Sequence, residues 1–306
     1  MIATLTLNPA LDKLTEVNRL IPEKKMRCPD LKTEAGGGGI NVSKAINELE
    51  GESIAVFPCG GTNGDILKEI LNRQMIRNEP VQINENTREN FTVDEIDTNK
   101  QFRFVMKGPS LSEANLDSVK RKISELSDIE YLVCSGSMPA DVPFSFIGEI
   151  AEIANSKKMK LIVDTSGEAL KTALQKGVYM LKPNLTELGF LAGKEHLDSS
   201  EIEDTAEQII NSGKCDLLVV SLGPSGALLV TKNEKKKFSA PIVKKISTVG
   251  AGDSMVAGTV WMLQKGETLE NAVQFGIACG TAATINKGTR LFKKEDAEKF
   301  YNWMRI

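Results

Sequence analysis

Three runs of apolar residues have the pattern of buried strands, and each run ends in small or polar residues. They cover residues 131–136, 161–164 and 216–221. The segments from Phe146 to Ser156 and from Glu201 to Ser212 have the apolar spacing of helices. Strands that alternate with helices in this way form a parallel sheet with helices on both faces. The pattern therefore predicts an α/β fold.

Small and polar residues follow the predicted strands at the points where the strands end. These segments are 135–137, 164–167, 182–184 and 221–226. In open parallel sheets, ligands bind beyond the carboxyl ends of the strands. We therefore expect a binding site at this edge of the sheet.

Two segments do not follow the alternation of strands and helices. Residues 11–34 are strand-like but are interrupted by Pro22 and Pro29, and residues 88–108 hold two alternating runs around a turn at 97–100. Such a turn between alternating runs predicts a hairpin. We expect these segments to form a small β lid over the mouth of the main sheet. The alternative is a surface hairpin at one edge.

Composition and charge exclude several classes of protein. The 306 residues suffice for one large α/β domain or two smaller ones, and the net charge of −3 offers no basic field to nucleic acid. Lys235–Lys237 is interpreted as a solvated turn. No apolar run approaches the roughly 18 residues that span a bilayer, and the first residues lack the basic segment of a signal peptide. We expect a cytoplasmic protein that binds neither nucleic acid nor membrane.

Cysteine and histidine usage argues against metal-thiolate and triad chemistry. The five cysteines contain no C-x-x-C pair, which favours reduced thiols over a zinc site or disulfides. The single histidine, His196, lies in a polar segment and is interpreted as a surface residue. A Ser-His-Asp triad would depend on this residue, which lies in no catalytic context.

The most informative motif is the segment 247–254, which precedes an apolar helical run. Gly250, Ala251 and Gly252 leave backbone N–H groups open to a ligand at the start of the predicted helix, where an anion is stabilised. Asp253 follows at once and can take a proton from a hydroxyl. The combination suits phosphoryl transfer to an alcohol, and the alternative is that Asp253 caps the helix.

Four consecutive glycines, residues 36–39, form a second motif before another helical pattern. Their entropic cost indicates a structural or ligand-binding reason, with Asn41 available for directional hydrogen bonds to a sugar. The alternative is a flexible hinge. Neither glycine motif completes the dinucleotide fingerprint G-x-G-x-x-G, and the chain has no Walker A motif.

The third motif is the segment 182–187. Asn184 and Glu187 are three residues apart and share a face at a helix start. Glu187 could hold Mg²⁺ through water, because magnesium keeps much of its hydration shell. The same spacing also fits a capping box, in which both side chains bond to the helix backbone.

These motifs together resemble the ribokinase-like sugar kinases of the phosphofructokinase B family. The resemblance covers essentially the whole chain, and its ordered motifs are residues 6–12, 36–41, 135–139, 182–184, 221–223 and 248–253. It implies a three-layer α/β/α fold with a mostly parallel central sheet and a small β-sheet lid, in a single domain over residues 1–306. Within the family, the chain is most similar to kinases of phosphorylated sugars, of the minor bacterial 6-phosphofructokinase type.

The resemblance also implies roles for individual residues. Asp253 is expected to be the base that deprotonates the attacking hydroxyl, and Gly250, Ala251 and Gly252 are expected to form the anion hole for the transferred phosphoryl group. Arg88 would bind the sugar's own phosphate, for which a guanidinium has suitable geometry, with Lys25 as a second contact. The residues expected to face the sugar are Asp12, Gly37, Gly38, Asn41 and Ser137.

The cofactors that the resemblance implies are ATP, Mg²⁺ and K⁺. Asn184 and Glu187 would organise Mg²⁺ and the phosphates, with Lys182 nearby. The residues expected to border the nucleotide are Ser221, Gly223 and Gly226. The residues expected around a monovalent cation beside the anion hole are Val249, Asn286, Gly288 and Arg290.

Three acceptors remain open: fructose 6-phosphate, fructose 1-phosphate and tagatose 6-phosphate. Kinases of the latter two typically carry Lys at the third position of the glycine run, where this chain has Gly38, so we favour fructose 6-phosphate. A non-catalytic sugar-phosphate sensor is an alternative of another class, and a dinucleotide-dependent oxidoreductase is disfavoured by the missing fingerprint. The exposed edges and apolar faces expected in the lid favour a homodimer formed through the lids.

Overall fold

Two sheets organise the part of the chain that the computed structural model describes, residues 1–286 and 291–305. The strands described there, in chain order, are β1 Ile2–Leu5, β2 Ala10–Val17, β3 Lys32–Gly36, β4 Ser53–Cys59, β5 Arg77–Gln82, β6 Arg88–Glu95, β7 Lys100–Val105, β8 Tyr131–Ser135, β9 Lys160–Asp164, β10 Val178–Leu181, β11 Cys215–Ser221, β12 Ala227–Thr231 and β13 Lys235–Phe238. The helices are α1 Gly38–Glu48, α2 Gly61–Arg73, α3 Glu113–Glu125, α4 Ser145–Ser156, α5 Gly167–Lys176, α6 Leu185–Leu191, α7 Ile202–Asn211, α8 Ala251–Gln264, α9 Leu269–Thr284 and α10 Lys294–Met304.

The larger sheet has the strand order β13-β12-β11-β10-β9-β8-β1-β4-β5. Its pairs from β11 to β5 are parallel, and β12 and β13 are antiparallel additions at one edge. Both faces are buried, because neighbouring residues of one strand join opposite cores: Ile2 packs with α1 and α8, and Ala3 with α3 and α4. The predicted three-layer α/β/α arrangement is confirmed.

The interpretation of Lys235–Lys237 as a solvated turn is wrong, because these residues lie in β13 at the sheet edge. The Nζ atom of Lys235 lies 2.8 Å from a carboxylate oxygen of Glu203 and 2.6 Å from one of Glu207. Lys236 pairs with Glu270. Lysines on an exposed edge strand discourage pairing with another chain, so the charge run has a structural role that its composition alone did not reveal.

The smaller sheet has the order β3-β2-β6-β7, with β2 parallel to β6. Its strands come from the two segments predicted to form a lid, and residues 96–99 form the turn between β6 and β7. Residues 19–31, between β2 and β3, form no strand. The function of this small sheet as a lid stays a prediction. On its edge strand and just beyond, four apolar side chains are exposed: Phe102, Phe104, Val105 and Met106.

The cysteines of the described chain are free thiols, and most of them are buried. Cys28 is exposed, and the other four cysteines are buried as free thiols in β4, β8, β11 and α9. None of the helices in the described residues is long and apolar enough to cross a membrane.

Candidate active site

The carboxyl ends of three neighbouring strands, β8, β9 and β10, bring Ser135, Asp164 and Lys182 together. Lys182 is only 5% exposed, and its Nζ atom lies 3.0 Å from Oδ1 of Asp164. A buried ammonium needs such a partner, since its loss of hydration is costly. Lys182 also approaches the start of α8, because a Cβ atom added to Gly252 would lie 3.5 Å from its Nζ atom.

Asp253 lies in the first turn of α8, with both carboxylate oxygens engaged. The amide of Asn41, from α1, donates to Oδ2 over 2.9 Å, and the hydroxyl of Ser135 donates to Oδ1 over 3.2 Å. The helix is capped by Gly250, in a left-handed conformation with φ of 72°. The capping alternative for Asp253 is therefore wrong.

Burial, together with the nearby carboxylate of Asp164, raises the pKa of Asp253 to about 6 from its usual 3.8. The hydrogen bonds from Asn41 and Ser135 and the charge of Lys182 oppose this rise. A general base works best when its pKa lies near the working pH, because it is then both ionised and basic. Asp253 has that property, whereas a solvated aspartate would be a much weaker base.

Ala251 and Gly252 open α8 beside this carboxylate, and Gly252 is exposed. The first N–H groups of a helix point out of its end and carry a partial positive charge. An anion placed here would meet backbone donors and would have Lys182 nearby. The arrangement can therefore stabilise negative charge next to a base.

The glycine run has a packing reason. A Cβ atom on Gly38 would lie 2.5 Å from the backbone nitrogen of Gly136, and one on Gly39 would lie 2.6 Å from the carbonyl oxygen of Leu5. Gly37 has a φ of 114°, which L side chains rarely adopt. The run seats the start of α1 against the ends of β1 and β8, so the flexible-hinge alternative is wrong.

Asn184 and Glu187 form the capping box that was the alternative to a metal site. The side-chain oxygen of Asn184 accepts from the N–H of Glu187, and the Glu187 carboxylate accepts from the N–H of Asn184, both over 2.9 Å. Burial and the charge of Asp164 raise the pKa of Glu187. The Glu187 carboxylate is thus within electrostatic reach of Asp164, and carboxylate oxygens are ligands that suit a hard divalent cation.

Two of the residues predicted to bind the acceptor, Asp12 and Arg88, lie where the two sheets meet. Asp12 accepts a hydrogen bond of 2.8 Å from Asn90, and burial raises the pKa of Asp12. The guanidinium of Arg88 donates to the carbonyl oxygens of Asn8 and Met106 over 2.9 and 3.1 Å. Burial lowers the pKa of Arg88, which still leaves it charged.

Other predicted residues lie at varying distances from this centre. Ser221 ends β11 and forms a bridge with Asn184, which places the expected nucleotide border beside α6. Gly223 and Gly226 follow in a tight turn, and a Cβ atom on Gly226 would lie 1.9 Å from the carbonyl oxygen of Phe238. Lys25 is exposed in the loop after β2, and within the described part of the chain it forms no hydrogen bond with Arg88.

The predicted monovalent cation site is described in part. The backbone N–H of Val249 donates to the Ser247 hydroxyl. The amide of Asn286 donates to the carbonyl oxygens of Ala282 and Leu291. Gly288 and Arg290 lie outside the described residues, so their predicted part in this site stays a prediction.

Three residues of the site, Ser135, Asp164 and Asn8, were not singled out from the sequence. Ser135 and Asp164 belong to strand ends where a site was expected, but only their contacts with Asp253 and Lys182 distinguish them from their neighbours. Asn8 donates to Ser137 over 3.2 Å. The strand-end rule indicated the right segments and could not select among their residues.

Comparison with known proteins agrees with this geometry. The description pfkB family carbohydrate kinase matches residues 6–296. The chain belongs to the pfkB family of carbohydrate kinases. It is 40% identical to the ATP-dependent 6-phosphofructokinase isozyme 2 of Escherichia coli, over 99% of this chain and 98% of that protein. It is 33% identical to the 1-phosphofructokinase of Borreliella burgdorferi, over 100% of this chain and 98% of that one.

Solved structures confirm the ribokinase-like fold of this pfkB kinase. The structure of phosphofructokinase-2 from E. coli in complex with substrates and products has a TM-score of 0.95 at 40% identity, with 100% of this chain and 99% of that chain covered. Arabidopsis thaliana ribokinase has a TM-score of 0.74 at 20% identity, covering 98% of each chain, which supports the fold alone. Membership of a kinase family sets aside the oxidoreductase alternative.

The raised pKa of Asp253 predicts how kcat/KM depends on pH. We expect kcat/KM to fall about tenfold per pH unit below pH 6, because the protonated carboxyl cannot accept a proton. A phosphate monoester on the substrate also titrates near pH 6, so wild type is compared with Ser135→Ala. Removal of this hydrogen bond raises the pKa of Asp253, so the midpoint moves to higher pH. A profile identical in both proteins would contradict the assignment.

Proposed function

We propose that this pfkB kinase transfers the terminal phosphoryl group of ATP to fructose 6-phosphate and forms fructose 1,6-bisphosphate. The observation that carries the proposal is the position of Asp253 between Asn41, Ser135 and the open start of α8. The relatives support the choice of substrate, since one is a phosphofructokinase-2 structure from E. coli in complex with fructose-6-phosphate, at 38% identity.

The reaction then follows from the chain's own groups. Asp253 accepts the proton of the attacking hydroxyl, while Gly250, Ala251 and Gly252 present backbone donors to the transferred phosphoryl group. Lys182 lies beside this loop and adds positive charge where negative charge develops. Phosphoryl transfer depends mainly on such alignment and charge stabilisation. Closure of the small sheet over the site would exclude water that competes as an acceptor.

Mg²⁺ would be held by the Glu187 carboxylate together with that of Asp164, and it would supply charge neutralisation on the nucleotide phosphates when bound. Asn184 is engaged in the helix cap, so its part is to hold Glu187 in place. Ser221, Gly223 and Gly226 would border the nucleotide.

A monovalent cation would bind in addition to Mg²⁺. A structure of the E. coli phosphofructokinase-2 is in complex with potassium. By analogy with that relative, we propose a K⁺ site in this chain beside Val249 and Asn286, close to the anion hole.

The acceptor would lie against Asp12, Asn41 and Ser137, with its own phosphate on Arg88. Lys25 would reach this phosphate from the loop after β2. Gly37 and Gly38 would present backbone without side chains to the sugar.

Gly38 also affects the choice of acceptor, because the Cβ atom of a side chain there would lie 2.5 Å from the backbone nitrogen of Gly136. The lysine typical of fructose 1-phosphate and tagatose 6-phosphate kinases therefore does not fit this backbone.

The proposal includes a homodimer formed through the small sheet and a cytoplasmic location. The exposed apolar side chains of β7 would be covered in such a dimer. The E. coli phosphofructokinase-2 has a tetrameric inhibited form, so further assembly is compatible with a dimeric unit.

The first test replaces the base. Asp253→Asn keeps the shape of the side chain and removes the proton acceptor, so kcat should fall about 10²–10⁴-fold. The same substitution should increase the free energy of unfolding at neutral pH, although it decreases kcat. The folded-state pKa is raised from 3.8 to about 6, so ionisation of Asp253 destabilises the fold as pH rises through this range. The variant should gain up to about 3 kcal/mol at pH 7.

Thermal unfolding measured at pH 7 and pH 4 separates these effects, because the gain in stability should vanish near pH 4. Near-normal turnover by Asp253→Asn would rule out its function as the base. A sensor without activity would instead show no ATP consumption by the wild type with any sugar phosphate.

The second test concerns the acceptor. A coupled assay with fructose 6-phosphate, fructose 1-phosphate and tagatose 6-phosphate should give the highest kcat/KM with fructose 6-phosphate, by about tenfold or more, as a well-fitted pocket can discriminate. A higher kcat/KM on either of the other two would replace fructose 6-phosphate in the proposal.

The third test concerns the dimer. Phe104→Glu places a charge in the apolar face of β7 and should weaken the dimer at least about 30-fold, as expected for loss of an aromatic anchor. Met75→Glu is the matched control, since Met75 is an exposed apolar residue outside the small sheet. Sedimentation velocity measures both. Equal association of Phe104→Glu and wild type would exclude this interface.

A further inference from the structure

Four segments of the chain connect the small sheet to the rest of the molecule. We call them the crossing segments: residues 6–9, 37, 83–87 and 106–112. Any movement of the small sheet relative to the larger one must change the backbone of these segments. Contacts between them therefore depend on the position of the small sheet.

Arg88 joins three of the crossing segments. It begins β6 directly after residues 83–87, and its guanidinium donates to the carbonyl oxygen of Asn8 over 2.9 Å and to that of Met106 over 3.1 Å. Arg88 is half-buried, and these two carbonyl oxygens take only two of the five N–H groups of its guanidinium. The two carbonyl oxygens fix the plane of the guanidinium and thus the direction in which its remaining N–H groups point.

Asn8 connects this arrangement to the larger sheet. Its side-chain nitrogen donates to the hydroxyl of Ser137, which follows β8, over 3.2 Å. On its other side lies Gly108, where an added Cβ atom would be 2.0 Å from Oδ1 of Asn8. Asn8 is thus held between two segments, with its carbonyl oxygen on Arg88 and its side chain on Ser137.

Two buried polar atoms of this contact have no hydrogen-bond partner among the described residues: Oδ1 of Asn8 and Nε of Arg88. Each such atom gives up its hydration without gaining a hydrogen bond, which has a free-energy cost. Hydrophobic packing would avoid this cost, so a purely structural junction has no need of these side chains. A functional role is one established reason for buried polar groups without a protein partner.

We propose that Asn8 is a positioning residue for recognition of the acceptor's own phosphate: it ties Arg88 to Ser137, so that this recognition depends on the position of the small sheet. The inference rests on the proposed function, in which a phosphate binds Arg88. Orientation of a guanidinium before binding removes an ordering cost from the binding step. Because such coupling is reciprocal, a bound phosphate also stabilises the sheet position that supports Arg88.

The experiment is a double-mutant cycle on kcat/KM for fructose 6-phosphate, with Asn8→Ala, Arg88→Ala and the double variant. Asn8→Ala keeps the carbonyl oxygen that Arg88 binds and removes the hydrogen bond to the Ser137 hydroxyl. It should reduce kcat/KM about 3- to 10-fold in the wild-type background, the range for a hydrogen bond between neutral groups. In the Arg88→Ala background it should cost less than about twofold, because Asn8 acts through Arg88. The KM for ATP should not change. An equal loss in both backgrounds would overturn the proposal.

Gly108→Ala provides a second variant that keeps the Asn8 side chain. Gly108 is not among the described glycines with positive φ, so alanine is allowed there, and the three atoms nearest to its Cβ all belong to the Asn8 side chain. We expect the same loss as in Asn8→Ala, and we expect Asn8→Ala to abolish most of the Gly108→Ala effect by making room. Independent, additive losses would contradict a shared mechanism.

Asn63→Ala is the matched control. Asn63 also donates from its side chain to a crossing segment, at the carbonyl oxygen of Thr87 over 2.8 Å, but it does not contact the guanidinium. Its kcat/KM should stay within about twofold of wild type. A loss as large as that of Asn8→Ala would mean that any crossing-segment contact matters, which overturns the assignment to Asn8.

Failure of the proposed function gives a different result. In that case the wild type is inactive on fructose 6-phosphate, and the cycle is run on whichever of fructose 1-phosphate and tagatose 6-phosphate it accepts, since both carry a phosphate. If it accepts neither, binding of fructose 6-phosphate measured by calorimetry replaces kcat/KM. Additivity of Asn8→Ala and Arg88→Ala in that measurement, or no binding at all, overturns the proposal.

Discussion

The buried ammonium of Lys182 is the interaction on which the rest of the site depends. It pairs with Asp164 and lies within electrostatic reach of Glu187 and Asp253. Burial raises the pKa values of Glu187 and Asp253, and the negative charge of Asp164 adds to this rise, because one cation surrounded by three carboxylates leaves an excess of negative charge. Buried charges of this kind contribute little net stability. Their arrangement instead leaves the site short of positive charge, and a divalent ion arriving with a nucleotide would correct that shortage.

Apolar periodicity was enough to predict the layered α/β fold, because the strands from β8 to β11 are buried on both faces and keep their pattern in the sequence. The antiparallel edge was not predicted. Lys235 and its neighbours in β13 have the composition of a turn, and the carboxylates that pair with them come from α7 and α9, far away in sequence. Charge pairing across such distances leaves no local signal.

The site could be predicted only in part, for a similar reason. Asp253 was identified from its local motif, since glycine, helix start and carboxylate are adjacent. Its partner Ser135 was not, because a serine at a strand end is common and only the distance to Asp253 distinguishes it from Ser137. The spacing of Asn184 and Glu187 fits both a cap and a metal site. The structure has the cap, and the cap positions the carboxylate that a metal would use.

The glycine run before α1 has a consequence for how this family can change. A Cβ atom at Gly37, Gly38 or Gly39 would come within 2.6 Å of another atom, in the case of Gly38 and Gly39 of fixed backbone. Selection on helix seating alone would keep Gly37 and Gly39 free of side chains, whatever sugar is bound, and a lysine at the position of Gly38 requires a different backbone there. New acceptor preferences on this backbone would therefore arise through residues without such packing constraints, around Arg88 and in the loop that carries Lys25. The glycines are required by the packing of α1, so they reflect the fold and not the sugar.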